Sequence, residues 1–118
     1  MKGISQKIKR TMMSKSRARG TAFESRVVSY LKEQGFPYAS RLPLSGSKDV
    51  GDIGGVVSTV IECKNEKKID LASYQDETLK EQANANAQVA FAVFPRRSRH
   101  IGKAYVLMTL DQVIELIK

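Results

Sequence analysis

Apolar positions along this chain recur with two periods, and each marks a different kind of element. Val27, Val28 and Leu31 fall on one helical stripe, which also carries Glu24. Thr21-Ala22-Phe23-Glu24 has the form of a capping box, with Thr21 as N-cap, and Gly35 supplies a stop, so the spacing predicts a helix from 21 to about 34. Tyr38 to Leu42 reads as a short strand, and Pro43 to Gly51 as a loop. Asp52 to Val57 and Thr59 to Asn65, rich in Val and Ile, read as extended segments turning back on each other. Asp70 is the expected N-cap of a second helix reaching about Asn84, whose apolar side carries Leu71 and Leu79. Ala87 to Phe94 is a near-continuous apolar run closed by Pro95, the pattern of a buried strand. A basic turn from Arg96 to Lys103 leads to a strand at Ala104 to Met108. In the last helix Thr109 and Gln112 repeat the capping-box pattern, and Leu110, Val113, Ile114 and Ile117 share a face. The order is α-β-β-β-α-β-β-α, an α/β chain.

At 118 residues the chain suits one domain with a modest core. No apolar run is long enough to span a bilayer, and no apolar stretch of signal-peptide type follows the basic N-terminus. The single cysteine, Cys63, excludes an internal disulfide and a cysteine-rich zinc site. An intracellular, cytoplasmic setting is expected, the host cytoplasm if the chain is viral. The net charge of +8 is unevenly spread. Lys2, Lys7, Lys9, Arg10, Lys15, Arg17 and Arg19 precede residue 20 without one acidic neighbour, and the remaining 13 Lys+Arg nearly balance 12 Asp+Glu. The chain thus divides into a basic arm, 1–19, expected to stay mobile until it meets a polyanion, and a domain, 20–118. Nucleic acid competes with an anionic membrane surface and a plain solubilising tail as the reason for the arm.

The stretch from Gly51-Asp52-Ile53 through Ile61-Glu62-Cys63-Lys64 decides for nucleic acid. Side chains alternate along a strand, so Ile61 and Cys63 can face a core while Glu62 and Lys64 stand together on the other side. With Asp52 opening the paired strand, two carboxylates come together as hard ligands for an octahedral cation such as Mg²⁺. Such an ion polarises a phosphate and acidifies a bound water, while Lys64 orients that water or neutralises developing charge. A solvated Glu-x-Lys strand face is the bland alternative. Glu24 lies on a stripe facing the sheet, where a carboxylate needs a cation or donors; it either joins the metal site or only closes its capping box. Gln75, between Leu71 and Leu79, either satisfies a buried backbone group or reaches the catalytic pocket. Ser45-Gly46-Ser47-Lys48 is a small loop able to approach a phosphate.

Taken in order, these segments resemble the archaeal-type Holliday junction resolvases, a branch of the PD-(D/E)xK nucleases. The similarity runs through Arg19-Gly20-Thr21-Ala22-Phe23-Glu24, Gln34-Gly35-Phe36, Arg41, Ser45-Gly46-Ser47, Asp52-Ile53, Ile61-Glu62-Cys63-Lys64, Gln75 and Leu79. The resemblance implies a restriction-endonuclease-like fold, a central mixed β-sheet flanked by helices. It also implies a homodimer that binds four-way DNA junctions by shape and makes paired nicks with Mg²⁺, for which Mn²⁺ substitutes. By position Asp52 and Glu62 are metal ligands, Glu24 completes the acidic cluster, Lys64 is the catalytic lysine, and Ser45 and Gln75 assist. Lys7, Lys9, Arg10, Lys15, Arg17, Arg19, Arg41, Ser47 and Lys48 are the expected DNA contacts. Gly51 departs from the pattern, since many members carry Pro before the Asp. Another nuclease of the same fold (nicking, repair or restriction-like) remains an alternative, as does a basic nucleic-acid-binding module without catalysis. Against the latter, carboxylates repel phosphate unless a cation lies between.

Overall fold

In the computed structural model, five short strands form one sheet in their order along the chain. They are Ser40–Arg41 (β1), Ile53–Gly54 (β2), Thr59–Cys63 (β3), Val89–Phe94 (β4) and Tyr105–Leu107 (β5). The structure describes the backbone of residues 2–43 and 48–118, and side chains from 18 onward within those ranges. Neighbouring strands run antiparallel except β3 and β4, which are parallel and joined by the crossover helix Leu71–Ala85 (α2). Helix Lys2–Glu33 (α1) precedes the sheet and Leu110–Ile117 (α3) follows it, with a 3₁₀ turn at Ile101–Lys103 between β4 and β5. The mixed, helix-flanked α/β sheet expected from the sequence is therefore present.

Strand alternation sorts the two faces of the sheet. Phe23 and Val27 of α1 pack on Ile53, Ile61 and Val93, with Val28, Leu31, Cys63 and Phe91 around them. The opposite faces of β3 and β4 turn Val60, Glu62, Ala90 and Ala92 toward α2, whose buried side chains are Tyr74, Thr78 and Glu81. Alanines on β4 leave room for the helix to lie close. The register pairs Glu62 with Ala92 and Cys63 with Val93.

Three expectations change. Thr21 is not an N-cap, because α1 continues back to Lys2. Residues 2–20 hold no proline, and their seven Lys and Arg with Met12 and Met13 are good helix formers, enough to carry the helix past its weaker Gly and Ser positions. Its C-terminus is as expected: Gly35, at φ 104°, lets the Phe36 N–H reach the Leu31 carbonyl. On α2 the buried stripe is Tyr74, Thr78 and Glu81, whereas Leu71 and Leu79 are exposed, so Gln75 does not lie on an apolar side. The helix is turned so that polar groups face the sheet. On α3 the apolar face is likewise exposed; Gln112 ties the helix down by accepting the Ala90 N–H and donating to Gln82. The caps Asp70 and Thr109 are as read from the sequence, accepting the N–H groups of Ser73 and Gln112. Among the described residues, no helix is long and apolar enough to cross a membrane.

Candidate active site

Asp52 stands just before β2, with its backbone fixed on both sides. Its N–H donates to the Ile61 carbonyl and its own carbonyl accepts the Leu42 N–H, each at 2.8 Å. Its Oδ2 accepts the Cys63 N–H at 2.8 Å, which holds the carboxylate against β3 beside Glu62. Glu62 is 6% exposed, at the centre of the face that α2 covers. Lys64 follows the strand end, its Nζ 3.6 Å from Glu62 Oε1 and 2.6 Å from Oε2 of Glu77 on α2. The ammonium also lies over the Tyr74 ring, 5.6 Å from its centroid. Glu62 and Lys64 thus share one side of β3, as strand alternation requires, while Ile61 lies in the core.

The electrostatics are those of carboxylates crowded out of water. Burial, then the neighbouring Glu62 charge, pushes Asp52 up to about 7 despite the Cys63 N–H, with Glu24 a smaller contributor. Burial and the adjacent Glu81 carboxyl push Glu62 well above the usual range, against the pull of Lys64. Burial likewise raises Glu81. Burial alone would lower Lys64, but Glu77 and Glu62 outweigh it and hold the ammonium charged. Burial pushes the Cys63 thiol up as well, which suits a packing group and not a nucleophile.

Glu62 Oε2 and both oxygens of Glu81 are buried without a donor. Two facing carboxyl groups with no donor between them need a shared proton or a cation. Asp49 joins them: one oxygen from each of Asp49, Glu62 and Glu81 lies within 4.8 Å of the others. Hard oxygen donors with orphaned lone pairs are the donor set of Mg²⁺ or Mn²⁺, so the residues present fit a divalent metal.

The family model described as archaeal Holliday junction resolvase (Hjc) matches residues 15–116, most of the chain. The chain belongs to this resolvase family. No curated protein and no solved structure matches it. Membership makes it a nuclease that acts on DNA junctions, and the acidic cluster is compatible with metal binding.

The other residues singled out in the sequence take varied places in the resolvase. Glu24 Oε2 accepts from Arg41 Nε at 3.0 Å, and Arg41 Nη2 also reaches Thr21 Oγ1 at 3.4 Å, so Glu24 and Arg41 are each other's partners. Gln75 donates to Thr78 Oγ1 at 3.2 Å, and its Oε1 is buried without a donor. Lys48 is exposed next to Asp49. The Arg19 carbonyl accepts from Asn65 Nδ2 at 3.3 Å. Ser45 and Ser47, and the side chains of Lys7, Lys9, Arg10, Lys15 and Arg17, lie outside the described residues.

Sequence reasoning missed Asp49, Glu77 and Glu81. The signal was available in the Tyr74, Thr78, Glu81 spacing, a helical stripe, but its polar members masked it. It also read Arg96 to Lys103 only as a basic turn. Because β3 and β4 are parallel, their C-terminal ends lie together, which brings this turn beside the segment that follows Lys64. Arg97 donates to the Glu66 carbonyl and, with Arg19, Asn65 and Lys67, lines a groove of about 330 Å³. A second groove of about 600 Å³ runs past Lys64, Tyr74 and Glu77.

Proposed function

We propose that the chain is a Mg²⁺-dependent endonuclease that resolves four-way DNA junctions by paired, symmetric nicks, with Asp52, Glu62 and Lys64 at its chemical centre. One observation carries this reading: a buried Glu62 with an orphaned oxygen stands between Asp52 and a charged lysine. Asp52 and Glu62 would hold the cation, Mg²⁺ or in its place Mn²⁺. Bound there, such an ion polarises a phosphate and lowers the pKa of a coordinated water. Lys64, kept charged by Glu62 and Glu77, neutralises charge developing on the phosphate oxygens. Cys63 contributes its N–H, which fixes the direction of the Asp52 carboxylate. Glu24 completes the acidic cluster, Ser45 assists from its loop, and Gln75 supports the pocket from α2.

In this reading the basic arm tracks the phosphate backbone through Lys7, Lys9, Arg10, Lys15 and Arg17. Arg19, Arg41, Ser47 and Lys48 continue that path, and Lys67 and Arg97 extend it along the groove they line with Arg19 and Asn65. Two cuts from a chain with one such centre call for a homodimer, acting inside the cell where branched DNA arises. The exposed apolar residues of α3, Leu110, Val113, Ile114, Leu116 and Ile117, offer a surface for the second copy.

The test is cleavage of labelled four-way junction, duplex, flap and single-stranded DNA, each with and without Mg²⁺. The reading expects junction cleavage only with the metal, at matched positions on opposite strands. Equal cleavage of all four substrates would replace junction resolution by a general nuclease activity.

A further inference from the structure

The four carboxyl groups around β3 are not one cluster. Asp52 is served by a backbone donor, the Cys63 N–H. Glu81 has none: it is 1% exposed, aimed at Glu62, and neither of its oxygens has a partner. A carboxylate buried in this way is retained only if something positive or a proton sits against it. The third member of the group is also built into place. Asn84, one turn beyond Glu81 on α2, donates from Nδ2 to the Asp49 carbonyl at 2.9 Å, and the Gly51 N–H donates to Asp49 Oδ1 at 3.0 Å. Gly51 makes this approach possible. It stands at φ 100°, where a Cβ would lie 3.0 Å from the Ile61 carbonyl oxygen. That conformation is closed to proline, whose ring fixes φ near about −65°.

The resulting oxygens of Asp49, Glu62 and Glu81, all within 4.8 Å of one another, need little adjustment to close on an ion. Ligand oxygens around an octahedral Mg²⁺ with bonds of about 2.1 Å lie roughly 3 to 4.2 Å apart. Three carboxylates also exceed the charge of one divalent cation, which favours tight retention of a hard ion over a monovalent one.

We propose that Asp49, Glu62 and Glu81 form a divalent-cation site of their own, for Mg²⁺ or Mn²⁺, which shares Glu62 with the Asp52 site. The inference rests on reading the centre as metal-binding, and it adds a second ion held from α2. In this arrangement Glu62 would be a ligand common to both sites, and α2 would carry a ligand as well as the partner of Lys64. It also explains why α2 turns a polar stripe to the sheet, since Glu81 has a ligand's role there.

Mn²⁺ titration of the full chain, followed by the electron paramagnetic resonance of free Mn²⁺, counts the sites without reference to cleavage. Wild type is expected to bind two Mn²⁺ per chain. Glu81→Gln and Asp49→Asn should each bind one, with at least a tenfold weakening of the second. Asp52→Asn should keep the Asp49–Glu81 site. Melting without metal checks the fold: Glu81→Gln removes a buried carboxylate facing another and should melt no lower than wild type. If it does melt lower, Asp49→Asn, altered at an exposed position, decides alone. Wild-type stoichiometry and affinity in both variants would overturn the proposal, as would a single site lost only in Asp52→Asn. In the latter case the Asp52 reading survives. A wild type that binds no Mn²⁺ would sink both, and a wild type with a single site, lost in Glu81→Gln but kept in Asp52→Asn, would sink only the Asp52 assignment.

Discussion

Lys64 is clamped between a buried carboxylate and a half-exposed one, Glu62 and Glu77, so its ammonium arrives at the site already charged and oriented. Removing it should cost chemistry more than metal. We expect Lys64→Ala to lower the single-turnover cleavage rate on the order of a hundredfold, the scale of losing one preorganised electrostatic partner. Its Mn²⁺ affinity should change far less than that of Asp52→Asn, which a parallel titration will check; equal losses in the two variants would make Lys64 a metal-site prop. The carboxyl groups also set a pH dependence. Asp52 titrates near 7 in the folded chain against an ordinary 3.8, and Glu62 is raised further, so the folded state holds protons that the unfolded state has released. Stability from these groups is therefore complete below the ordinary carboxylate range and lost as pH rises through about 7. Melting in EDTA should fall between pH 5 and pH 8, and Mg²⁺ should recover more at pH 8 than at pH 5. A metal-free melting temperature that rises over that interval would contradict the electrostatic account.

At the scale of elements, α1 joins two roles, since its C-terminal half seals the sheet and its N-terminal half carries the charge. Deleting residues 1–15 removes five of the seven arm cations and spares Phe23, Val27 and Arg19. Junction affinity should fall, and the slope of log K against log[salt] should shrink by roughly 0.9 for each duplex phosphate that the arm no longer neutralises. The single-turnover rate at saturating DNA should hold; a collapse in rate would mean that the arm shapes the junction at the centre. Elements whose signal is local were legible in the sequence: the caps Asp70 and Thr109, the stop at Gly35, the apolar run of β4. The Asp52, Glu62 and Lys64 placement was legible too, because strand alternation and one hairpin suffice to bring them together. What failed depended on tertiary context. Thr21 carries a capping pattern inside a helix that simply continues, and its hydroxyl accepts from Arg41 instead. Leu71 and Leu79 mark an apolar stripe that is not the buried one: the sheet face opposite α2 holds Glu62, and the side chains buried against that face are Tyr74, Thr78 and Glu81.

For the whole molecule, the proposed paired nicks require two copies of one small domain. The side chains of α3 are apolar on the face that the domain leaves uncovered, with Leu110 74% and Ile117 77% exposed. Tyr105 and Val106 of β5 are exposed as well. A second copy related by a two-fold axis would cover such a patch with its own equivalent. The wild type is expected to sediment as a dimer and the double variant Val113→Glu, Ile117→Glu as a monomer. The double variant should keep its metal binding and lose paired nicking. A variant that remains dimeric would move the interface elsewhere.

In the proposed mechanism Glu62 serves the metal-dependent nuclease centre and not the DNA-binding surface. Glu62→Gln keeps the shape of the side chain and removes its charge, so one labelled four-way junction can report binding and single-turnover cleavage together in Mg²⁺. The account predicts junction affinity close to wild type with cleavage reduced to background. Cleavage at the wild-type rate, with affinity unchanged, would contradict it.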